Sequence, residues 1–88
     1  MDLITFVSIL GSVISAEYTL SANSNVVVVN AVNSRPLGAP VTPIAAGGSG
    51  TLTIRVPPEV RPGKYYLKAQ DQSGGYLAQS VYFYIAKP

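Results

Sequence analysis

The sequence predicts an all-β fold, an antiparallel β-sandwich of immunoglobulin-like or fibronectin type III-like build with about seven strands. Three observations predict it. Residues 50–69 (GTLTIRVPPEVRPGKYYLKA) hold a strictly alternating strand, a Pro-Pro stop, a Pro-Gly turn and a second strand that opens on paired tyrosines. Val, Ile, Thr and Tyr dominate the chain, and its longest segments carry a period of two rather than the helical 3.6. Turn-forming residues recur about every eight to twelve positions, the spacing of short sandwich strands.

The elements follow in order. Leu3–Ile9 reads as a first strand, with Leu10, Gly11 and Ser12 as a bend and Val13–Ile14 as strand again. A second reading of the same apolar run is a signal peptide cut after Ala16. Against it stand Asp2, the absence of Lys or Arg before the run, and the interruptions at Ser8, Gly11, Ser12 and Ser15. The run is also too short to cross a bilayer, so no membrane span is expected. Residues 17–22 (EYTLSA) alternate, with Tyr18 and Leu20 on one face. Asn23, Ser24 and Asn25 form a turn by composition. Val26–Val29 is an unbroken β-branched run that suits a central strand buried on both sides.

Residues 33–43 contain Pro36, Pro40 and Pro43, which cannot donate to a ladder, so this part is loop or broken edge strand. Ala45–Gly50 reads as a turn. Thr51–Val56 then directs Leu52, Ile54 and Val56 inward and Thr51, Thr53 and Arg55 outward. Pro62-Gly63 fits a type II turn with positive φ at the glycine. Tyr65, Leu67 and Ala69 point inward, and Tyr66 and Lys68 outward. Tyr65 stands two residues before Leu67, the spacing of a tyrosine corner, whose hydroxyl bonds back to the upstream loop. Residues 71–75 (DQSGG) make a hairpin turn. The last strand runs Tyr76–Ile85, with Val81, Phe83 and Ile85 inward and Tyr82 and Tyr84 outward.

Composition bounds the function. Eighty-eight residues are expected to form one domain, residues 1–88. Only 11% of the residues are charged, well below the roughly 25% of ordinary soluble domains. Such a surface repels its neighbours weakly, so a homo-oligomer or a covering partner is expected. The net charge of +2 comes from scattered bases and few acids. Arg55, Arg61, Lys64 and Lys68 read as solvated strand and turn positions, and no basic stripe suggests a nucleic-acid partner. With no cysteine and no histidine, disulfides, thiolate chemistry and the commonest general base and metal ligand are absent. Only Asp2, Glu17, Glu59 and Asp71 carry carboxylates, and none is spaced as a two-carboxylate hydrolytic pair. No phosphate loop or metal motif occurs. Neither catalysis, a metal nor any cofactor is expected.

The order and spacing of the motifs carry a resemblance. Residues 4–20 (ITFVSILGSVISAEYTL), 26–30 (VVVVN), 50–57 (GTLTIRVP), 62–67 (PGKYYL) and 80–85 (SVYFYI) together resemble the Ig-like domain of the fungal Ser/Thr-rich GPI-anchored cell-wall protein family, related to the yeast cell-wall β-glucan synthesis proteins. The family's strand tryptophans are missing, with Ile54 in one such place and Ala22 near the other. There is no Ser/Thr-rich tail and no C-terminal anchor signal, so a small secreted or surface-associated version of the domain is expected instead of a GPI-anchored one. The resemblance implies an extracellular or cell-wall location and a role near wall polysaccharide.

Binding is the class the residues favour. Tyr66, Tyr82 and Tyr84 fall on the outward face of the last two strands, and Lys68 shares that face. Tyrosine offers a flat apolar ring and a polar tip, suited to sugar rings and to protein interfaces. The plain alternative is a cross-strand aromatic pair that only stabilises the sheet. Asn23, Asn25, Asn30 and Asn33 have amides suited to sugar, although turns use Asn as well. No N-x-Ser/Thr glycosylation acceptor occurs. Two expectations follow. One is a lectin-like or immunomodulatory module that recognises wall polysaccharide or a cell-surface protein. The other is a structural subunit that self-assembles into a dimer or filament through its tyrosine-bearing sheet.

Overall fold

The computed structural model of the chain describes residues 2–44 and 48–86. Eight strands occur among them: β1 (Leu3–Leu10), β2 (Val13–Leu20), β3 (Ser24–Asn30), β4 (Pro36–Ile44), β5 (Gly48–Arg55), β6 (Gly63–Asp71), β7 (Tyr76–Gln79) and β8 (Phe83–Ile85). They form two antiparallel sheets. The first has the order β1-β2-β5; the second has β4-β3-β6-β7, with β8 also paired to β6. Among the described residues no helix is long and apolar enough to cross a membrane.

The alternation in the sequence builds the core. Ile4, Ile14, Ala16, Leu20, Leu52 and Ile54 come from the first sheet. Val26, Val28, Tyr65, Leu67, Ala69, Phe83 and Ile85 come from the second, and the two sets close on each other as a sandwich-like interior. Each fully buried aliphatic side chain contributes roughly 1.5–3 kcal/mol relative to exposure. Phe6 of β1 stacks on Phe83 of β8, with ring centroids 4.3 Å apart and planes 8° from parallel, joining the two sheets. Ile4, Ile14 and Ala16 place the apolar N-terminal run in strand and core.

The β1–β2 connection is a two-residue turn with Gly11 at φ 60°, a glycine-first arrangement that matches the twist of the flanking strands. A bulge between Phe6 and Ser8 switches the inward parity of β1, so that Phe6 and Ile9 both pack on the core while Val7 is exposed. Val26–Val29 is central as expected: β3 lies between β4 and β6, and all four valines are buried. The proline-rich segment is an edge strand, β4, with irregular register against β3.

Four local expectations differ. Ser24 and Asn25 belong to β3, and the bend lies before them at Ser21–Ala22. Of the expected turn Ala45–Gly50, Ala45–Gly47 lies outside the described residues, and Gly48–Gly50 is strand, paired with Leu20, Thr19 and Tyr18. Gly63 does not have positive φ; it opens β6 in register with Ile85, and its ladder pairing requires extended backbone. The chain instead turns at Pro58-Glu59, where the Val60 N–H donates to the Pro57 carbonyl at 3.2 Å.

Val81 is the fourth: it is 70% exposed, not inward. The cause is Ser80. Its N–H donates to the Leu67 carbonyl, and its hydroxyl oxygen accepts from the Leu67 N–H, both at 2.9 Å. A side chain thus does the accepting that a strand carbonyl would do. The hydroxyl donates onward to the Val81 carbonyl at 2.8 Å. Ser80 takes the inward place, Val81 and Tyr82 both turn outward, and alternation resumes at Phe83. The expected single last strand is therefore two, β7 and β8.

Candidate binding face on the second sheet

The face of the second sheet turned away from the core is built by β6. Its outward positions read Lys64, Tyr66, Lys68, Gln70 in steps of two. Their inward neighbours Tyr65, Leu67 and Ala69 are buried to 2% exposure or less and fix the strand against the core. The hydroxyl of Tyr65 donates to the Arg61 carbonyl at 2.8 Å, the bond expected of a tyrosine corner. That bond ties the entrance of β6 to the loop before it, so the outward residues sit on a strand held at both ends.

The other end is held by Asp71. Its Oδ1 accepts from the Ser73 N–H, the Ser73 hydroxyl and the Gly75 N–H at 2.9, 2.8 and 2.7 Å. These donors, the Gly75 amide foremost and then the Ser73 hydroxyl, hold the Asp71 carboxyl below the usual carboxylate range. Gly74 takes φ 90°, and a Cβ on Gly75 would lie 2.8 Å from Asp71 Oδ2. Both glycines are needed for this closure.

Across from β6, the break at Ser80 brings Tyr82 and Tyr84 onto the same outward face. The rings of Tyr66 and Tyr82 lie 5.6 Å apart, tilted by 38°. The Lys64 ammonium sits 5.8 Å from the centre of the Tyr82 ring, within cation–π range. Tyr84 stands opposite Lys64, and Lys68 opposite Gln79. Tyr82 and Tyr84 are 55% and 63% exposed, and Tyr66 and Lys68 are half-buried. Of the four residues the sequence points to, Tyr66 and Tyr82 are in ring contact, and Lys68 and Tyr84 flank them on the same face.

Sequence reasoning missed two parts of this face. Lys64 is exposed on β6, as expected of a solvated strand position, but its place two residues before Tyr66 also puts it on this face. The groove was also missed. Val27 and Val29 of β3 pair with Lys68 and Tyr66 in register. They floor an open groove of about 380 Å³ walled by Ser34, Pro36, Tyr66, Lys68 and Gln70. Each valine is buried without contributing to the main core.

The other polar residues have local duties. The Asn30 carboxamide oxygen accepts from the N–H groups of Val32 and Asn33, and the Asn33 oxygen from the N–H of Arg35. Asp2 accepts from the N–H and hydroxyl of Ser21, which hold its carboxyl low. Glu17 lies on the outer face of the first sheet in a depression of about 290 Å³ lined by Thr5, Thr19, Ser49 and Thr51. Glu59 lies beside Arg61 in a separate depression of about 230 Å³. Among the described residues no three His, Cys, Asp or Glu side chains gather as metal ligands. No protein-family model matches the chain, and no curated protein sequence matches it.

Proposed function

We propose that the chain is a non-catalytic binding module that works outside the cell, in the secreted or wall-associated setting its motifs resemble, through the outward face of its second sheet. Its partner is wall polysaccharide or a cell-surface protein. The observation that carries this reading is the Tyr66–Tyr82 pair with Lys64 against one ring, set beside a valine-floored groove along a strand held at both ends. An immunoglobulin-like or fibronectin type III-like sandwich is the finer fold we assign. The order β1-β2-β5 against β4-β3-β6-β7, the tyrosine corner, and β7 and β8 acting as one interrupted final strand, for about seven in all, support it. The dispersal of the four carboxylates supports a role without catalysis.

A second reading, self-assembly into a dimer or filament, is favoured by the edge strand β1, which exposes Leu3, Val7 and Leu10. One preparation separates the two. β-Glucan pull-down, a glycan array and binding to intact cells are run beside solution mass against concentration. Under the first reading a glycan or a cell-surface protein binds, and Tyr66→Ala and Tyr82→Ala each weaken binding by about tenfold. A mass that rises with concentration, with no glycan bound, selects the second. A monomer that binds neither glycan nor cell-surface protein contradicts both.

A further inference from the structure

Resting on that reading, we infer that the ligand of this face is an acidic polysaccharide, a chain of sugar rings bearing carboxylates, rather than a neutral glucan. The charge on the face points to an anion. Lys64 and Lys68 point outward from β6, and among the described residues no carboxylate shares their side. Asp2 is bound to Ser21, and Asp71 is turned into its own hairpin. Glu17 lies on the opposite sheet, and Glu59 in a separate depression. The face presents cations with nothing on it to neutralise them, so an anionic partner is complementary.

The spacing of the charges points to a polymer of rings. Along β6 the outward residues alternate cation, ring, cation: Lys64, Tyr66, Lys68. Four residue steps along the strand separate the two ammonium stems by roughly 13 Å, with Tyr66 between them and Tyr82 and Tyr84 alongside. A polymer that repeats a ring and a carboxylate matches that pattern. Its apolar ring faces lie on the tyrosines, its carboxylates meet the lysines, and one ring enters the groove over Val27 and Val29. Two lysines are too few for a nucleic-acid backbone, and a plain acidic peptide lacks the flat rings that the tyrosines can take.

The test uses the whole chain with polygalacturonate, a neutral β-glucan (laminarin) and polyglutamate as probes. Variants are Lys64→Gln, Lys68→Gln, Tyr66→Ala and Tyr82→Ala; glutamine removes the charge and keeps most of the aliphatic stem, and circular dichroism checks each fold. The expected result is that polygalacturonate binds more tightly than either other probe. Each lysine variant weakens it roughly fivefold, and raising salt from about 0.05 M to about 0.5 M weakens it further. The tyrosine variants weaken it too, and Lys68→Arg restores it. Equal binding of laminarin, unaffected by the lysine variants, overturns the acidic ligand while leaving the binding face intact. Equal binding of polyglutamate, or indifference to the tyrosine variants, reduces the effect to charge alone and also overturns the inference. If no probe binds and the glycan array is blank, the inference falls together with the polysaccharide partner it rests on.

Discussion

Tyr65 joins the core to the loop that precedes β6. Its ring is 2% exposed, and its hydroxyl reaches the Arg61 carbonyl at 2.8 Å. Replacement by Phe keeps the ring in the core and removes only the bond. The expected cost is about 1 kcal/mol, or a melting temperature lowered by about 4–8 °C, measured by thermal or urea unfolding. An unchanged melting temperature would show that the corner bond contributes nothing net. Ser80 is the other residue whose side chain replaces backbone: its hydroxyl stands in the ladder opposite Leu67. Ser24, by contrast, buries a hydroxyl that finds no hydrogen-bond partner among the described residues, a local cost in the native state.

At the scale of elements, the β6–β7 hairpin depends on an ionised Asp71. Its folded-state carboxyl is held low by the Gly75 amide and the Ser73 hydroxyl. A depressed folded value means the stabilisation is complete above the unfolded value of about 3.9 and is lost as pH falls through the folded one. Asp2, held low by Ser21, acts in the same direction. With no histidine in the chain, no side chain ordinarily changes charge between about pH 5 and pH 8. Unfolding midpoints are therefore expected to be level across that range and to decline below about pH 4. Asp71→Ala should lower the neutral plateau and shallow the acid decline; an acid limb as steep as the parent's would contradict the role given to the hairpin.

The elements differ in how far the sequence revealed them. β5 and β6 were legible because Leu52, Ile54, Val56 and Tyr65, Leu67, Ala69 alternate without interruption. Val26–Val29 was legible as a central strand because four β-branched residues in a row suit one buried on both faces. The break at Ser80 was not legible, because nothing local distinguishes a serine hydroxyl that joins a ladder from one that faces solvent. Gly63 misled because Pro-Gly fits a turn as well as it fits a strand entrance. For the binding face, Tyr66, Lys68, Tyr82 and Tyr84 followed from parity within strands. The groove over Val27 and Val29 did not, since it depends on which residues of β3 lie beside β6, and register is set by pairing across the sheet.

At the scale of the molecule, the two outer faces have opposite characters. The first sheet shows hydroxyls around Glu17; the second shows tyrosine rings among Lys64 and Lys68. The division follows from alternation: each strand gives one set of residues to the shared core and the other to its own outer face. Binding through the second sheet should then leave the first undisturbed. The direct measurement is an NMR titration of the isotope-labelled chain with oligogalacturonate, following backbone amides. Shifts are expected to concentrate at Lys64, Tyr66, Lys68, Tyr82 and Tyr84, with Val27 and Val29 beneath them, and to be absent at Glu17, Thr51 and Thr53. Shifts centred on the first sheet, or none at all, would contradict binding through the second.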